Sequence, residues 1–194
     1  GYRIKLFGIA KRTQRGVEVR VHPCLISERY LIANVEGAMN AVMVHSDALG
    51  TSMYYGKGAG GQPTASAVIA DLIDIARTAS ADVASRIPHL AFQTESIESP
   101  EILDIEAVVT CNYLRISVAD QPGVLASITS ILAEYGISVD AMLQQPADAT
   151  SKQTELIILT HEAKEGVMNQ AITKIQKLPT VLLPVVRIRK EDFN

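Results

Sequence analysis

The second half of the chain switches repeatedly between the hydrophobic spacing of a β-strand and that of a helix. Apolar residues alternate with polar ones in four runs, and in two further runs they recur every three or four residues. The strand-like runs are residues 113–119, 137–143, 154–160 and 181–189, and the helix-like runs are residues 124–135 and 167–175. Gly136 follows the first helix, where a glycine commonly ends one. The predicted order is therefore βαββαβ, the split arrangement called ferredoxin-like.

The first half of the chain predicts two hairpins and one long helix. The paired strand-like runs are residues 2–11 with 16–26 and residues 41–45 with 51–55. From Pro63 to about Ala79, apolar residues recur at helical spacing, which indicates an amphipathic helix. Because the first strand begins almost at Gly1, we expect the chain to be a fragment of a longer protein.

The segment between the two halves lacks a regular pattern. Residues 80–107 contain Pro88, Pro100 and several acidic side chains, which are typical of a surface segment or linker. The composition of each half supports a packed core of strands and helices. We therefore predict an α+β chain with two domains, residues 1–108 and residues 109–194.

Charge and composition exclude several classes of function. A net charge of −3 without a dense basic run gives no electrostatic basis for binding nucleic acid. No apolar run approaches the ~20 residues that span a bilayer, so we expect no membrane contact. Two cysteines and no secretory segment indicate a reducing compartment, which we take to be the cytoplasm. The four histidines have no ligand-like spacing, so we predict no metal site.

A glycine-rich segment runs directly into the helix that begins near Pro63. Four glycines occur within residues 56–61, where they permit positive φ angles and close approach of a ligand to the backbone. The first turn of a helix has unpaired N–H groups that can hold an anion or a polarised carbonyl. The candidate contact residues are Gly58, Ala59, Gly60 and Gly61. A plain turn before a helix is the alternative, and no βαβ unit surrounds the loop as a dinucleotide fingerprint requires.

The second half resembles an ACT domain, a small module that binds amino acids in metabolic enzymes. The resemblance rests on the turn Asp-Gln-Pro-Gly-Val-Leu at residues 120–125 and on Tyr-Gly-Ile-Ser-Val at residues 135–139. In such a turn, Asp120 can order the backbone while the helix start offers N–H groups to a carboxylate. The implied effector-binding residues are Asp120, Gln121, Gly123, Val124 and Leu125. The alternative is a module that only mediates assembly.

The first half is similar to the later part of the catalytic domain of homoserine dehydrogenase. The matching motifs are Gly-Tyr-Arg-Ile-Lys-Leu at residues 1–6, Val-Glu-Gly-Ala-Met-Asn-Ala-Val at residues 35–42 and the glycine-rich run at residues 55–68. The resemblance implies the remainder of a mixed sheet-plus-helix catalytic domain followed by the ACT domain. It assigns the 56–61 loop to the floor of the active site, beside the nicotinamide of NAD(P).

The same resemblance implies what this chain lacks. In the family, a Rossmann domain, a catalytic lysine and acidic residues precede the segment that begins at Gly1, so we expect no catalytic residue here. We predict that the fragment alone is inactive and does not bind the cofactor stably. Family behaviour suggests threonine as the effector. We also expect a homodimer, formed through the ACT domain and the catalytic sheet, because both leave apolar surface or sheet edges for a partner. One hypothesis for signalling is that effector binding alters the pairing of ACT domains and shifts residues 80–107. The alternative function is a stand-alone amino-acid sensor or assembly module.

Overall fold

A computed structural model of the chain describes residues 1–79, 92, 94–145 and 153–193. The chain forms two compact units. We call Gly1–Ser27 with Pro100–Asn194 the sheet unit, and Glu28–Ser99 the hairpin unit. In chain order the elements are β1 (Tyr2–Thr13), β2 (Gly16–Ser27), β3 (Met39–Ser46), β4 (Gly50–Lys57), α1 (Gly61–Ala79), β5 (Val109–Ala119), α2 (Val124–Glu134), β6 (Val139–Gln144), β7 (Gln153–Lys164), α3 (Glu165–Gln176) and β8 (Val186–Glu191).

The sheet unit is a mixed sheet whose strands follow the order β1-β2-β8-β5-β7-β6. All neighbouring strands are antiparallel except β2 and β8, which are parallel. The sequence from β5 to β8 confirms the predicted βαββαβ order and the α+β class. Both hairpins are also present, and α1 begins at Gly61, so that Pro63 lies in its first turn as predicted.

The hydrophobic core of the sheet unit lies between its strands and the helices α2 and α3. Alternate residues of β5 and β7 face this core, as the two-residue period of a strand requires. The fully buried side chains include Leu114, Ile116, Ile128, Leu132, Leu156, Ile158, Met168 and Ile175. Burial of each such side chain contributes about 1.5–3 kcal/mol, which makes this cluster the main source of stability for the unit.

Helix α2 ends in a Schellman motif at the predicted glycine. Gly136 has a φ of 68°, in the left-handed region that disfavours residues with a β-carbon. Its N–H donates to the carbonyl of Ala133 at 2.9 Å, and the N–H of Ile137 donates to the carbonyl of Leu132 at 2.9 Å. These two bonds satisfy carbonyls at the helix end and turn the chain toward β6.

The first hairpin shares a sheet with the βαββαβ strands. Strand β2 pairs with β8 over three residue pairs, from Cys24 with Arg189 to Ile26 with Glu191. The predicted division into residues 1–108 and 109–194 is therefore not the spatial division, because this pairing joins residues 1–27 to the second half. As a division between two family segments, residue 108 stays a prediction.

Part of the predicted linker is also bound to the sheet unit. The N–H of Val17 donates to the carbonyl of Glu101 at 2.8 Å, and the N–H of Leu103 donates back to the carbonyl of Val17 at 3.0 Å. Farther along, the N–H of Glu165 donates to the carbonyl of Val108 at 2.8 Å. The last residues of the predicted surface segment or linker are therefore hydrogen-bonded to strands and a helix of the sheet unit, while residues 80–91 and 93 lie outside the described ranges.

The last strand starts later than its apolar pattern suggested. We predicted a strand over residues 181–189, whereas β8 spans Val186–Glu191. Val181 forms only an isolated bridge with Val118. Pro184 lies between the two pairings, and it has no N–H to donate to a continuous ladder.

The hairpin unit combines the antiparallel pair β3–β4 with α1. The register runs from Met39 opposite Lys57 to Ser46 opposite Gly50. No residue of α1 is buried. None of the helices in the described ranges is both long and apolar enough to cross a membrane.

The end of α2 gives a test of the fold. We expect Gly136→Ala to lower the free energy of unfolding by about 1–2 kcal/mol, because a β-carbon is unfavourable in the left-handed region. Gly136→Asn is the control, since asparagine tolerates this conformation better. Urea denaturation of both variants measures the difference. Equal losses for the two would contradict the assigned backbone conformation.

Candidate functional site

The glycine-rich loop connects the end of β4 to the start of α1. Gly60 has a φ of 124°, so its backbone conformation favours glycine. Its carbonyl accepts a hydrogen bond from the N–H of Thr64 at 3.0 Å, which is the first bond of the helix. Residues 58–61 are all exposed, and the structure places the four predicted residues together in one short connection.

The start of α1 can hold a negative or polarised group. The amides of Gly61 and Gln62 precede the first intrahelical donor, whereas Pro63 has no N–H. No acidic side chain lies in the first turn to compete for these amides. Residues 58–61 carry no ionisable side chain. The loop can therefore bind and orient a ligand, but it cannot exchange a proton with it.

The turn before α2 brings all five predicted effector residues to one place. Asp120, Gln121, Gly123, Val124 and Leu125 line a cavity of about 60 Å³, together with residues of β5, β6 and β7. Gly123 has a φ of 88° and precedes the helix, and the N–H of Ser127 donates to its carbonyl at 2.9 Å. The amides of Leu125 and Ala126 precede this first donor.

This turn differs in two details from one in which Asp120 caps the helix and Pro122 sets the φ of its first residue. Asp120 does not cap α2, because Gly123 occupies the N-cap position and no side chain caps the helix. Pro122 lies two residues before Val124, so it shapes the turn rather than the first helical residue. The turn is instead ordered by backbone bonds, such as that from the N–H of Gln121 to the carbonyl of Ala119 at 2.9 Å.

The cavity at this turn is small. A water molecule occupies about 30 Å³ in the liquid, so 60 Å³ corresponds to about two waters, and ligand pockets usually measure several hundred Å³. A larger open groove of about 530 Å³ lies beside α3 and is lined by Tyr135, Gln170 and Lys174 among others. None of the predicted effector residues lines it, and it is open to solvent.

A buried ionic cluster, which the sequence did not predict, connects α3 to β8. The carboxylate of Glu165 accepts hydrogen bonds from Arg187 at 2.6 and 2.9 Å and from Arg189 at 2.5 and 3.0 Å. Arg187 also donates to the side-chain oxygens of Asn112 at 2.7 Å and Asn169 at 2.8 Å. Burial alone would raise the pKa of Glu165, but the hydrogen bonds and charges of the two arginines outweigh it and lower that pKa.

A second cluster surrounds Arg20 on β2. Its guanidinium binds both carboxylate oxygens of Glu191 and also lies 3.0 Å from Nε2 of His22. Burial lowers the pKa of His22, and burial raises the pKa of the Cys24 thiol to about 12. Both groups are therefore neutral at pH 7. Nδ1 of His22 lies 3.1 Å from the carbonyl of Pro23, which favours a proton on Nδ1.

His22, Cys24 and Glu191 have side chains of the kinds that bind metals, and their ligand atoms lie within 4.8 Å of one another. The guanidinium of Arg20 already supplies the positive charge that balances Glu191, and it would repel a metal ion there. The spacing His-x-Cys was visible in the sequence. The proximity of Glu191 to these two residues was not visible in the sequence, because it results from the pairing of β2 with β8. Both cysteines of the chain are free thiols.

Two protein-family models match separate parts of this chain. Residues 1–73 match the homoserine dehydrogenase family model, and residues 112–180 match the ACT domain model. The chain therefore corresponds to the C-terminal region of homoserine dehydrogenases, with an ACT domain at its end.

Individual relatives agree with this assignment. The homoserine dehydrogenase of Pseudomonas aeruginosa is 49% identical over 194 residues, which are 100% of this chain and 45% of that protein. A crystal structure of a homoserine dehydrogenase from Thiobacillus denitrificans is 54% identical to this chain and has a TM-score of 0.90. The matched region covers 100% of this chain and 43% of the chain in that structure. The Staphylococcus aureus enzyme at pH 7.0 gives 26% identity and a TM-score of 0.60, over 99% of this chain and 42% of its own. The chain thus spans less than half the length of these relatives.

The Glu165 cluster gives a test of stability and its pH dependence. We expect Glu165→Gln to cost about 3–5 kcal/mol, because it leaves two partly buried arginines without their counter-charge. In the parent chain, the lowered pKa of Glu165 means that its contribution is complete above the usual value of 4.5 and is lost as pH falls through the folded-state value. Urea denaturation at several pH values between 7 and 3 measures both effects.

Glu134→Gln is the matched control, because Glu134 pairs with Lys174 at 2.6 Å but both side chains are largely exposed. It should change stability little. A similar loss for both variants, or the same pH dependence in Glu165→Gln as in the parent chain, would contradict the role of the buried cluster.

Proposed function

We propose that this chain is the C-terminal part of a homoserine dehydrogenase with feedback regulation. The agreement over the whole chain with the Thiobacillus denitrificans enzyme, at a TM-score of 0.90, carries this proposal. The reaction removes a hydride from the alcohol carbon of L-homoserine and a proton from its hydroxyl, which gives L-aspartate 4-semialdehyde and NAD(P)H. It belongs to the synthesis of threonine, methionine and isoleucine.

In this proposal, Gly58–Gly61 form the floor of the site beside the nicotinamide. The exposed loop, the absence of side chains at three of its four positions and the open amides of Gly61 and Gln62 suit close contact with a flat polar ring. NAD(P), when bound, supplies the hydride acceptor. Because residues 58–61 have no ionisable side chain, we expect the proton to pass to residues from another part of the complete enzyme.

We further propose that the turn at residues 120–125 binds an amino acid, with threonine as the first candidate. The amides at the start of α2 suit its carboxylate, and the side chain of Gln144 offers hydrogen bonds from the other wall. The cavity of about 60 Å³ is too small for an amino acid. A second copy of the chain is therefore required to complete the site, or the turn must open.

A homodimer also agrees with the surface of the first hairpin. Its outer face exposes Ile4, Leu6, Val19 and Val21, of which Leu6 and Val21 are more than 70% exposed. Contiguous apolar surface of this kind usually marks an interface. We propose that pairing uses this catalytic-sheet face together with the ACT domain, in a cytoplasmic enzyme.

The missing machinery gives a direct test. We expect the 194-residue chain to produce no NADH or NADPH from homoserine at any pH, because in this family the Rossmann domain, the catalytic lysine and the acidic residues precede the segment that begins at Gly1. The same segment within the full-length protein should be active. Absorbance at 340 nm measures both. Homoserine oxidation by the 194-residue chain alone would refute the proposed division of the enzyme.

Threonine binding can be tested on the same chain. A ligand that binds only the folded state at 100 times its dissociation constant adds about 2.7 kcal/mol of stability. We therefore expect millimolar L-threonine to raise the melting temperature, and Asp120→Ala to reduce the shift. D-threonine and L-valine are the controls, since they change only the handedness or the hydroxyl group.

Sedimentation equilibrium of the same samples shows whether the effect depends on dimerisation. A melting temperature unchanged by threonine in samples that are dimeric would contradict effector binding and leave the ACT domain as an assembly surface.

A further inference from the structure

The side chain of Asn40 occupies the space that a side chain at position 58 would need. On the hairpin, Asn40 pairs with Gly56, so Gly58 is its diagonal neighbour two residues farther along the chain, directly after the end of β4. A β-carbon built on Gly58 would overlap the side-chain nitrogen of Asn40. It would also lie 2.7 Å from Cγ and 3.3 Å from Cβ of that residue. Rotation about χ2 would move the nitrogen but leave Cγ and Cβ in place, so either Asn40 would have to change χ1 or the loop would have to shift.

This contact separates Gly58 from the other glycines of the loop. Gly60 is required by its φ of 124°, whereas Gly58 does not have a positive φ. A β-carbon on Gly56 or Gly61 would meet nothing within 4 Å. Gly58 is therefore the loop glycine whose missing side chain is replaced by a neighbouring residue.

We infer that Asn40 is a positioning residue for the Gly58–Gly61 loop. Its backbone is held in the β3–β4 ladder, and its side chain fills the space beside Gly58. The contact therefore transmits the geometry of the hairpin to the three residues that precede α1. Asn40 affects the cofactor only by positioning the loop, so its effect on function rests on the proposed cofactor role of that loop.

The first experiment measures the chemical shifts of Gly60, Gly61 and Gln62, and amide hydrogen exchange at Thr64, whose N–H donates to the carbonyl of Gly60, in the 194-residue chain. We expect Asn40→Ala to move these shifts and to speed exchange at Thr64 about tenfold by loosening the loop. Gly58→Ala should displace the same signals. Gly56→Ala is the matched control, because its added methyl group enters open space, and it should leave them in place.

Combining the substitutions tests whether the two residues act through contact. In the Asn40→Ala background the obstacle is gone, so Gly58→Ala should have a much smaller additional effect than in the parent chain. Additive effects, or equal effects of Gly58→Ala and Gly56→Ala, would overturn the inference.

Asn40→Leu distinguishes filling of space from hydrogen bonding. Leucine has nearly the shape of asparagine but no amide, and it is compatible with an exposed strand position. We expect it to retain most of the protection that Asn40→Ala loses. Loss equal to that of Asn40→Ala would mean that the amide bonds matter and would overturn a role based on contact with Gly58.

The full-length protein separates this inference from the proposed function. There, Asn40→Ala should raise KM for NAD(P) several-fold, leave KM for homoserine nearly unchanged, and be rescued by Asn40→Leu. If the exchange results hold but KM for the cofactor does not change, then Asn40 positions the loop and it is the cofactor role of the loop that fails.

Discussion

The parallel pairing of β2 with β8 is the contact on which the architecture of the sheet unit depends. It joins the hairpin of the homoserine dehydrogenase segment to the βαββαβ strands through only three residue pairs. A ladder this short gains little from its backbone bonds alone. Arg20 strengthens it by binding Glu191 from β2, while Arg187 and Arg189, on the same face of β8 as Glu191, bind Glu165 at the start of α3. Each buried charge thus has a counter-charge, which is the condition for keeping such groups inside a protein.

Most elements of this fold could be predicted from periodicity, because each strand and helix keeps its own apolar spacing. The β2–β8 pairing could not be predicted in this way, because the paired residues are more than 160 positions apart. The apolar alternation of β2 also suggests the opposite face of the strand as the buried one. Val19 and Val21 would be expected to face the core, yet they are exposed, while Glu18, Arg20 and His22 are buried. That orientation brings Arg20 against Glu191 of β8 and also buries Cys24 and Ile26, and the pairing with β8 is not visible in the sequence.

Some features of the candidate sites could be predicted from the sequence, and others depend on contacts between distant residues. The glycine loop and the turn at residues 120–125 were predicted because local chemistry marks them: glycines before a helix start, and a Pro-Gly turn after a strand. The role of Asn40 was not predictable, although its motif was noticed, because it depends on the register of a hairpin. The size of the effector cavity was equally hidden, because residues of three strands and a turn determine it together.

The arrangement also changes how regulation would have to work. A flexible linker between the halves would transmit little structural change from one to the other. Here, however, residues 101 and 103 form hydrogen bonds with Val17, and the carbonyl of Val108 accepts one from the first residue of α3. The turn at residue 120 directly follows β5, which pairs with β8, and β8 pairs with β2. Coupling between sites requires packed elements with two arrangements rather than a mere chain connection. The β2–β8 ladder, with three residue pairs, is the shortest along this route. A change at the turn would therefore be expected to alter that ladder before it alters the longer pairings on either side.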